Sequence, residues 1–259
     1  MNHLRAFSSA VRHHVLAYGL RQARLVSAVL VPAALSTVSV LMQRSSGAEV
    51  PMARLLSGAG LSSLWGSLLA TAMFSLRRER DWFGTLPLVS IAPTPLPVLI
   101  GGYLVAESVL SLAAVAVGLG TGCLWLGGIP PHINWLALVP SLVVVALSAA
   151  SVASLLVPLV MRWPALTQSI NALEYPLVIL AGFLVPVSAL PQQVSYISVL
   201  LPPYWALEAV GHAATGGSLG TAAGYWAPAL LIGICYSVLG MGLASRVQVA
   251  LRANGELAR

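Results

Sequence analysis

The sequence predicts an all-α integral membrane protein with six transmembrane helices, an N-terminal amphipathic interfacial helix and a re-entrant outer hairpin between spans five and six. The first reason is composition: 58% of the 259 residues are hydrophobic, only 8% are charged, and the mean hydropathy is +0.88. Ordinary soluble domains have about 25% charged residues. The second is that long apolar runs alternate with short segments that hold most charges. We expect residues 1–259 to form a single transmembrane domain.

Composition also excludes several kinds of chemistry. All thirteen basic residues are arginine, so the chain has no lysine for a phosphate-binding loop or a Schiff base. The net charge of +6 forms no basic stripe interleaved with aromatic residues, and we expect no nucleic-acid partner. Cys123 and Cys235 lie in apolar runs and are expected to be packing residues.

Residues 1–24 predict the interfacial helix. Leu4, Phe7, Val11 and Val15 recur at intervals of three and four residues, while the arginines fall largely on other faces. A disordered basic tail is the alternative. The first span follows at residues 25–42. Because a long polar segment precedes it, we expect a retained anchor rather than a signal peptide.

The remaining spans are predicted at residues 55–76, 96–126, 135–161, 169–187 and 225–245. The second is rich in glycine and serine, and the fourth carries Ala146, Ala150 and Ser154 at four-residue spacing. Such small residues allow helices to approach closely. The stretch 186–220 is broken by prolines into two apolar pieces that are each too short to span, which predicts the re-entrant hairpin.

Arginine positions predict the orientation. Eleven of the thirteen arginines fall on the side that holds both termini, and two, Arg44 and Arg54, fall on the other. By the positive-inside rule both termini are cytoplasmic, and the hairpin faces outward. The arginine-only, alanine-rich composition indicates a bacterial source with GC-rich codons, and hence a multi-pass protein of the bacterial plasma (inner) membrane.

Catalysis by the chain itself is not expected. The histidines all lie in predicted tails or loops, no Gly-x-Ser-x-Gly motif is present, and Asp81 is the only aspartate. His13 and His14 are adjacent and point to different sides of a helix, so we expect no metal site.

Acidic residues within the apolar segments have two interpretations each. Glu107 and Glu174 either line a substrate path or make a polar contact with a neighbouring helix, Arg77 or Arg162. Glu208 and its neighbours in the hairpin form either an outer gate or the wet face of an interfacial helix.

Two stretches resemble the membrane subunit of ATP-binding-cassette exporters of the type 2 permease family. The first is residues 79–86 (ERDWFGTL) with the prolines that lead into span three. The second comprises residues 171–177 (NALEYPL), 182–191 (GFLVPVSALP) and 201–207 (LPPYWAL). The six-span layout and the interfacial first helix also fit, so the resemblance covers essentially the whole chain.

The resemblance implies that two copies of this permease, or this chain and a homologue, bind two cytoplasmic ATPase subunits. ATP and Mg²⁺ would be bound by those partners, and this chain would bind no cofactor. The segment 77–94, here called the charged loop, would dock into the ATPase. Its expected contact residues are Arg77, Arg78, Glu79, Arg80, Asp81, Gly84, Thr85 and Pro93.

The expected function is ATP-driven export of an amphipathic or lipid-like compound, such as a drug or antibiotic, by alternating access. Candidate residues of the substrate path are Glu107, Glu174 and Tyr175. Candidate residues of the outer gate are Phe183, Pro186, Tyr204, Trp205 and Glu208. The alternatives are a membrane-embedded lipid-modifying enzyme that uses Glu107, Glu174, Glu208 or His212, and a non-transporting membrane scaffold.

Overall fold

The structure is a computed structural model that describes residues 3–19, 22–46, 61, 64–69, 94–125, 127–128, 132–163, 166, 172, 176–183, 187 and 190–254. This part of the chain is helical and contains no β-strand. Its helices are α1 (His3–His14), α2 (Gln22–Ser46), α3 (Leu96–Trp125), α4 (Trp135–Arg162), α5 (Gln192–Val199), α6 (Pro202–Ala214) and α7 (Leu219–Asn254). A π-helical turn, Val15–Gly19, follows α1.

Three of these helices are long and apolar enough to cross a membrane: Leu96–Trp125, Trp135–Arg162 and Leu219–Ala250. Each has at least 28 residues, whereas about 20 suffice for the hydrocarbon core. α7 also leaves large apolar side chains exposed, among them Leu231, Ile234 and Val238. An exposed apolar surface of this kind is stable in lipid, so the chain is an α-helical membrane protein.

The helix bounds agree with the sequence in the middle of the chain and differ near its end. α3 and α4 begin at the predicted residues and end within one residue of the predicted ends. The sixth span is longer than predicted and takes in most of the expected tail. Its early start has a local cause, since Ser218 Oγ accepts the N–H of Thr221 (3.2 Å) as a helix cap does.

The helix of the fifth predicted span ends earlier than residue 187. Residues 176–180 are helical, and Gly182 then adopts a φ of +89°. Its N–H bonds to the carbonyl of Ile179 (3.0 Å) and the N–H of Phe183 bonds to that of Val178 (3.0 Å). This is a Schellman end, in which glycine is favoured because a side chain would be strained at positive φ.

α4 and α7 run parallel over most of the length of α4. Four contacts join them or the residues just before them: Asn134 with Gly217, Ser141 with Trp226, Ser151 with Gly233, and Ser154 with Gly240. The difference between the two residue numbers in each contact stays between 82 and 86, as it must when two helices run in the same direction. The chain between these two helices therefore returns from the end of one to the start of the other.

α2 and α3 are also parallel. Ser36 Oγ donates to the carbonyl of Gly118 (2.9 Å), so the middle of α2 lies beside the second half of α3. α1 ends beside Glu107 and is joined to α2 by residues 15–21. If α2 instead ran antiparallel to α3, Gln22 at the start of α2 would lie about 37 Å from Glu107 along the axis of α3, given the rise per residue of an α-helix. Such a short linker reaches only about 28 Å even when extended, so the pairing is parallel.

These directions define two ends of the bundle. At one, here called the Gln248 end, the N–H of Leu96 in α3 donates to Oε1 of Gln248 in α7 (3.0 Å). At the other, here called the Asn134 end, Asn134 Nδ2 donates to the carbonyl of Gly217 (2.9 Å). Every arginine whose side chain the structure describes is exposed and lies toward the Gln248 end: Arg5, Arg12, Arg162, Arg246 and Arg252. Basic charge is thus segregated along the bundle axis.

Small residues let α4 and α7 pack closely. A Cβ at Gly240 would lie 2.5 Å from the carbonyl oxygen of Ser154, closer than such atoms can approach. Ser154 belongs to the small-residue series predicted from the sequence, and Ala146 in that series is also buried. Cys235, expected to pack inside, instead lies on the exposed side of α7 because the small residues on the opposite side face α4.

Candidate functional site

Several residues predicted to be functional lie outside the described part of the chain. They are Arg77, Arg78, Glu79, Arg80, Asp81, Gly84, Thr85, Pro93, Glu174, Tyr175 and Pro186. The last residue of the charged loop, Thr94, is described and buried. It directly precedes the contact between Leu96 and Gln248, so the charged loop enters α3 at the Gln248 end.

Glu107 is fully buried in α3 and belongs to a chain of polar side chains. Its Oε2 lies 3.0 Å from Nε2 of His14, at the end of α1. Its Oε1 accepts a hydrogen bond from Ser111 Oγ (3.3 Å), which lies 2.6 Å from Ser67 Oγ. We call these four residues the polar chain. It joins α1, α3 and the helical residues 64–69, and it supplies the partners that a buried carboxyl group needs.

α1 packs closely against α3, which brings His14 to Glu107. A Cβ at Gly102 would lie 2.7 Å from Cβ of Ala10 and 3.1 Å from the carbonyl oxygen of Phe7. The His14 ring also contacts Tyr103, with ring centroids 5.3 Å apart. α1 docks against α3 through Ala6, Ala10 and His14, which are buried. Leu4 belongs to the apolar series that predicts the interfacial helix, and its side chain is 75% exposed. α1 thus presents separate faces to α3 and to its surroundings.

The polar chain does not have the geometry of a hydrolase. A catalytic serine needs a histidine base within hydrogen-bond distance of its hydroxyl. Here the carboxylate stands between His14 and the serines, so the histidine contacts the acid and the acid accepts from Ser111. Within the described ranges, moreover, no three His, Cys, Asp or Glu side chains come close enough to hold a metal ion. The arrangement is suited to holding α1 and α3 together.

The short helices α5 and α6 carry a second group of interest. α6 packs against α4 and α7, and Tyr204, Trp205, Glu208, Gly211 and His212 are its only residues that are not buried. Tyr204 and Trp205 meet edge to face with centroids 5.2 Å apart. Trp205 Nε1 donates to the carbonyl of Val199 in α5 (2.9 Å), which ties the two short helices together.

Tyr225 of α7 completes this aromatic group. Its ring stacks on His212 with centroids 5.0 Å apart, and its hydroxyl lies 3.0 Å from His212 Nε2. The Tyr225 and Trp205 ring centroids are 6.4 Å apart. Burial raises the pKa of Tyr204, and the nearby Glu208 and Tyr225 raise it further. Glu208 follows Tyr204 by one helical turn and lies on the same partly exposed side of α6.

The remaining residue of the predicted outer gate lies elsewhere. Phe183 is buried against Trp65, with ring centroids 5.7 Å apart. The structure thus groups Tyr204 and Trp205 with Glu208, and it places Phe183 in a separate ring pair.

Sequence reasoning missed the partners of these groups. It placed His14 in the interfacial segment without a role, and nothing in the sequence links it to Glu107, 93 residues away. The sequence around Tyr225 predicts only the start of a span. His212, by contrast, has a visible signal, because positions 204, 205, 208 and 212 share one face of an α-helix.

Comparison of the chain with known protein families and with curated proteins finds no match.

Proposed function

We propose that this chain is the membrane-spanning permease subunit of an ATP-driven exporter of the type 2 ABC family. It moves an amphipathic or lipid-like compound out of the cytoplasm or inner leaflet. The observation that carries the proposal is the charged loop with its Gly84-Thr85 pair and prolines, which lies immediately before a membrane-spanning helix. A soluble docking segment at this position is what a separate motor subunit needs in order to move α3.

The helix directions support six crossings. Because α2 and α3 are parallel, residues 47–95 return from the Asn134 end to the Gln248 end. Because α4 and α7 are parallel, residues 163–218 make a return in the opposite direction. The four long helices and these two returns together give six passages between the two ends. α5 and α6, with 8 and 13 residues, are too short to cross and form the hairpin.

The charge distribution supports a cytoplasmic Gln248 end. The charged loop enters α3 there, and the described arginines lie toward the same end. Positive loops are retained on the cytoplasmic side, where the ATPase subunits are found. The hairpin then faces outward, and the protein is a multi-pass component of the bacterial plasma membrane.

In this mechanism two permease copies, or this chain and a homologue, bind two ATPase subunits. Those partners bind ATP and Mg²⁺, since this chain contains no lysine for a phosphate-binding loop. Closure of the ATPases moves the charged loops and opens the substrate path outward. Such switching is driven only if substrate and ATP bind the two states with different affinities. Glu107, buried against His14, becomes accessible to cargo only when α1 shifts from α3.

Co-purification tests this proposal. The chain is purified from its native membrane in mild detergent, with chemical cross-linking, and ATPase activity is assayed for the parent and for Glu79→Ala/Arg80→Ala. Arg44→Ala/Arg54→Ala serves as the matched control because it removes charges predicted to lie on the opposite side. We expect ATPase activity with the parent and the control, and its loss with the charged-loop variant. Absence of an ATPase even after cross-linking would overturn the proposal.

A further inference from the structure

The accessible face of α6 has an unusual composition. Of its thirteen residues, only Tyr204, Trp205, Glu208, Gly211 and His212 are partly exposed, and helical spacing places them on one side. We call these five residues the α6 face. It contains three rings, one carboxylate and one glycine, and Tyr225 of α7 extends the rings. A face that only contacted lipid would need no carboxylate.

The rings of this face are held in place by contacts within the protein. The Trp205 indole N–H is already occupied by the Val199 carbonyl. The hydroxyl of Tyr225 and Nε2 of His212 are occupied by each other. These hydrogen bonds fix the rings. His212 and Tyr225 stack on each other, so a ligand would meet chiefly the rings of Tyr204 and Trp205. Ring faces carry negative electrostatic potential and attract cations.

Glu208 adds a full negative charge at the centre of the same face. Among the residues that the structure describes, it forms no ion pair and no hydrogen bond. The sequence contains no arginine or lysine between Arg162 and Arg246, and His212, one turn further along α6, is engaged by the hydroxyl of Tyr225. A partly buried carboxylate without a cation beside it attracts one from outside.

Gly211 leaves room for a ligand. Apart from its chain neighbours and the backbone of α6 itself, no atom of the described residues lies within 4 Å of the position where its Cβ would be. Gly211 is one helical turn after Glu208, so this open space adjoins the carboxylate. The face therefore combines an uncovered position, a carboxylate and aromatic rings within about two turns of helix.

We propose that the α6 face binds a lipophilic organic cation, such as a quaternary ammonium or phosphonium compound. The rings attract the charge and the apolar groups around it, and Glu208 provides the counter-charge. An anion is repelled by Glu208, while a neutral lipid gains nothing from it. As a binding site the proposal depends on the α6 face alone; that the bound cation is exported cargo rests on the proposed function.

Direct binding to the purified chain tests this inference. The protein is reconstituted without any ATPase in nanodiscs of zwitterionic lipid, and saturable binding of radiolabelled tetraphenylphosphonium is measured. Tetraphenylborate has nearly the same size and the opposite charge, so it serves as the ligand control. We expect saturable binding of the phosphonium alone, weakened about tenfold by Glu208→Gln or Trp205→Leu, which corresponds to the loss of one such contact. Gly211→Leu should block it by placing a bulky side chain beside Glu208.

Tyr196→Ala is the matched protein control, because Tyr196 is an exposed aromatic residue of α5 outside the α6 face. It should bind the phosphonium like the parent. Gly211→Leu is not expected to unfold α6, since leucine is a better helix former than glycine. Equal binding of the two ions, or unchanged binding by Glu208→Gln, would overturn the inference. Because the assay involves no ATPase, its result is independent of the co-purification test.

Discussion

Glu107 is the residue whose environment constrains the fold most strongly. A carboxyl group in an apolar interior is stable only when it is protonated, paired or hydrogen-bonded. Here His14 and Ser111 satisfy its two oxygens, and His14 comes from a helix far away in sequence. The contact therefore fixes where α1 docks on α3, and it also gives the buried carboxyl group a polar partner.

Replacing only His14 or only Glu107 should lower the free energy of unfolding more than replacing both residues together. We expect His14→Ala to lower the free energy of unfolding by about 3 kcal/mol, because it deprives a buried carboxyl group of its partner. The double variant His14→Leu/Glu107→Met should be close to the parent, since apolar side chains of similar volume replace both groups. Thermal stability in detergent, followed by size-exclusion chromatography, measures these differences.

Ser9→Ala is the control for that cycle, since Ser9 is an exposed residue of the same helix. It should change stability by less than about 0.5 kcal/mol. If the effects of His14→Leu and Glu107→Met, each measured alone, simply add in the double variant, the pair does not hold α1 against α3.

At the scale of helices, α4 and α7 approach each other most tightly where Gly240 meets Ser154. Gly240→Ala should destabilise the protein by about 1–3 kcal/mol, because the new methyl group would meet the backbone at Ser154 and backbone cannot move aside easily. The same thermal assay measures the loss.

Gly242, two residues away on the same helix, provides the comparison. Nothing lies within 4 Å of its Cβ position, so Gly242→Ala should be neutral or stabilising by up to about 1 kcal/mol. Equal effects of the two alanine substitutions would mean that close packing at Gly240 is unimportant.

The elements themselves were predictable to different degrees. α3 and α4 could be located because long apolar runs are bounded by turn residues at both ends. The end of the helix at Gly182 was misplaced because apolar residues continue beyond it, and only the positive φ shows that the helix has stopped. The extension of α7 beyond residue 245 was missed because polar residues there suggested a tail, although helical hydrogen bonding continues to Asn254.

The candidate site was less predictable than the fold. Spacing alone could group Tyr204, Trp205, Glu208 and His212 on one side of α6. It could not bring Tyr225 to them, because that contact depends on how α6 packs against α7. The pairing of His14 with Glu107 likewise depends on docking between distant helices, which leaves no periodic signal in the sequence.

At the scale of the whole molecule, the proposed topology places the two ends of the bundle on opposite sides of the membrane. With Cys123 and Cys235 replaced by serine, Thr215→Cys should react with a membrane-impermeant maleimide added to spheroplasts. Ala253→Cys should react only in inverted vesicles. Both positions are exposed, and they lie at the Asn134 and Gln248 ends respectively. Labelling of both from the same side would rule out this topology.

The parallel arrangement of α4 and α7 has an electrostatic consequence. Helix dipoles of parallel neighbours add, so the carboxyl ends of these two helices together present negative partial charge at the Gln248 end. Arg162 lies in the last turn of α4 and Arg252 in the last turn of α7, where a positive side chain is most favourable. The arginines proposed to orient the chain in the bilayer would thus also compensate the unfavourable alignment of two dipoles, so that membrane insertion and folding would favour the same placement of charge.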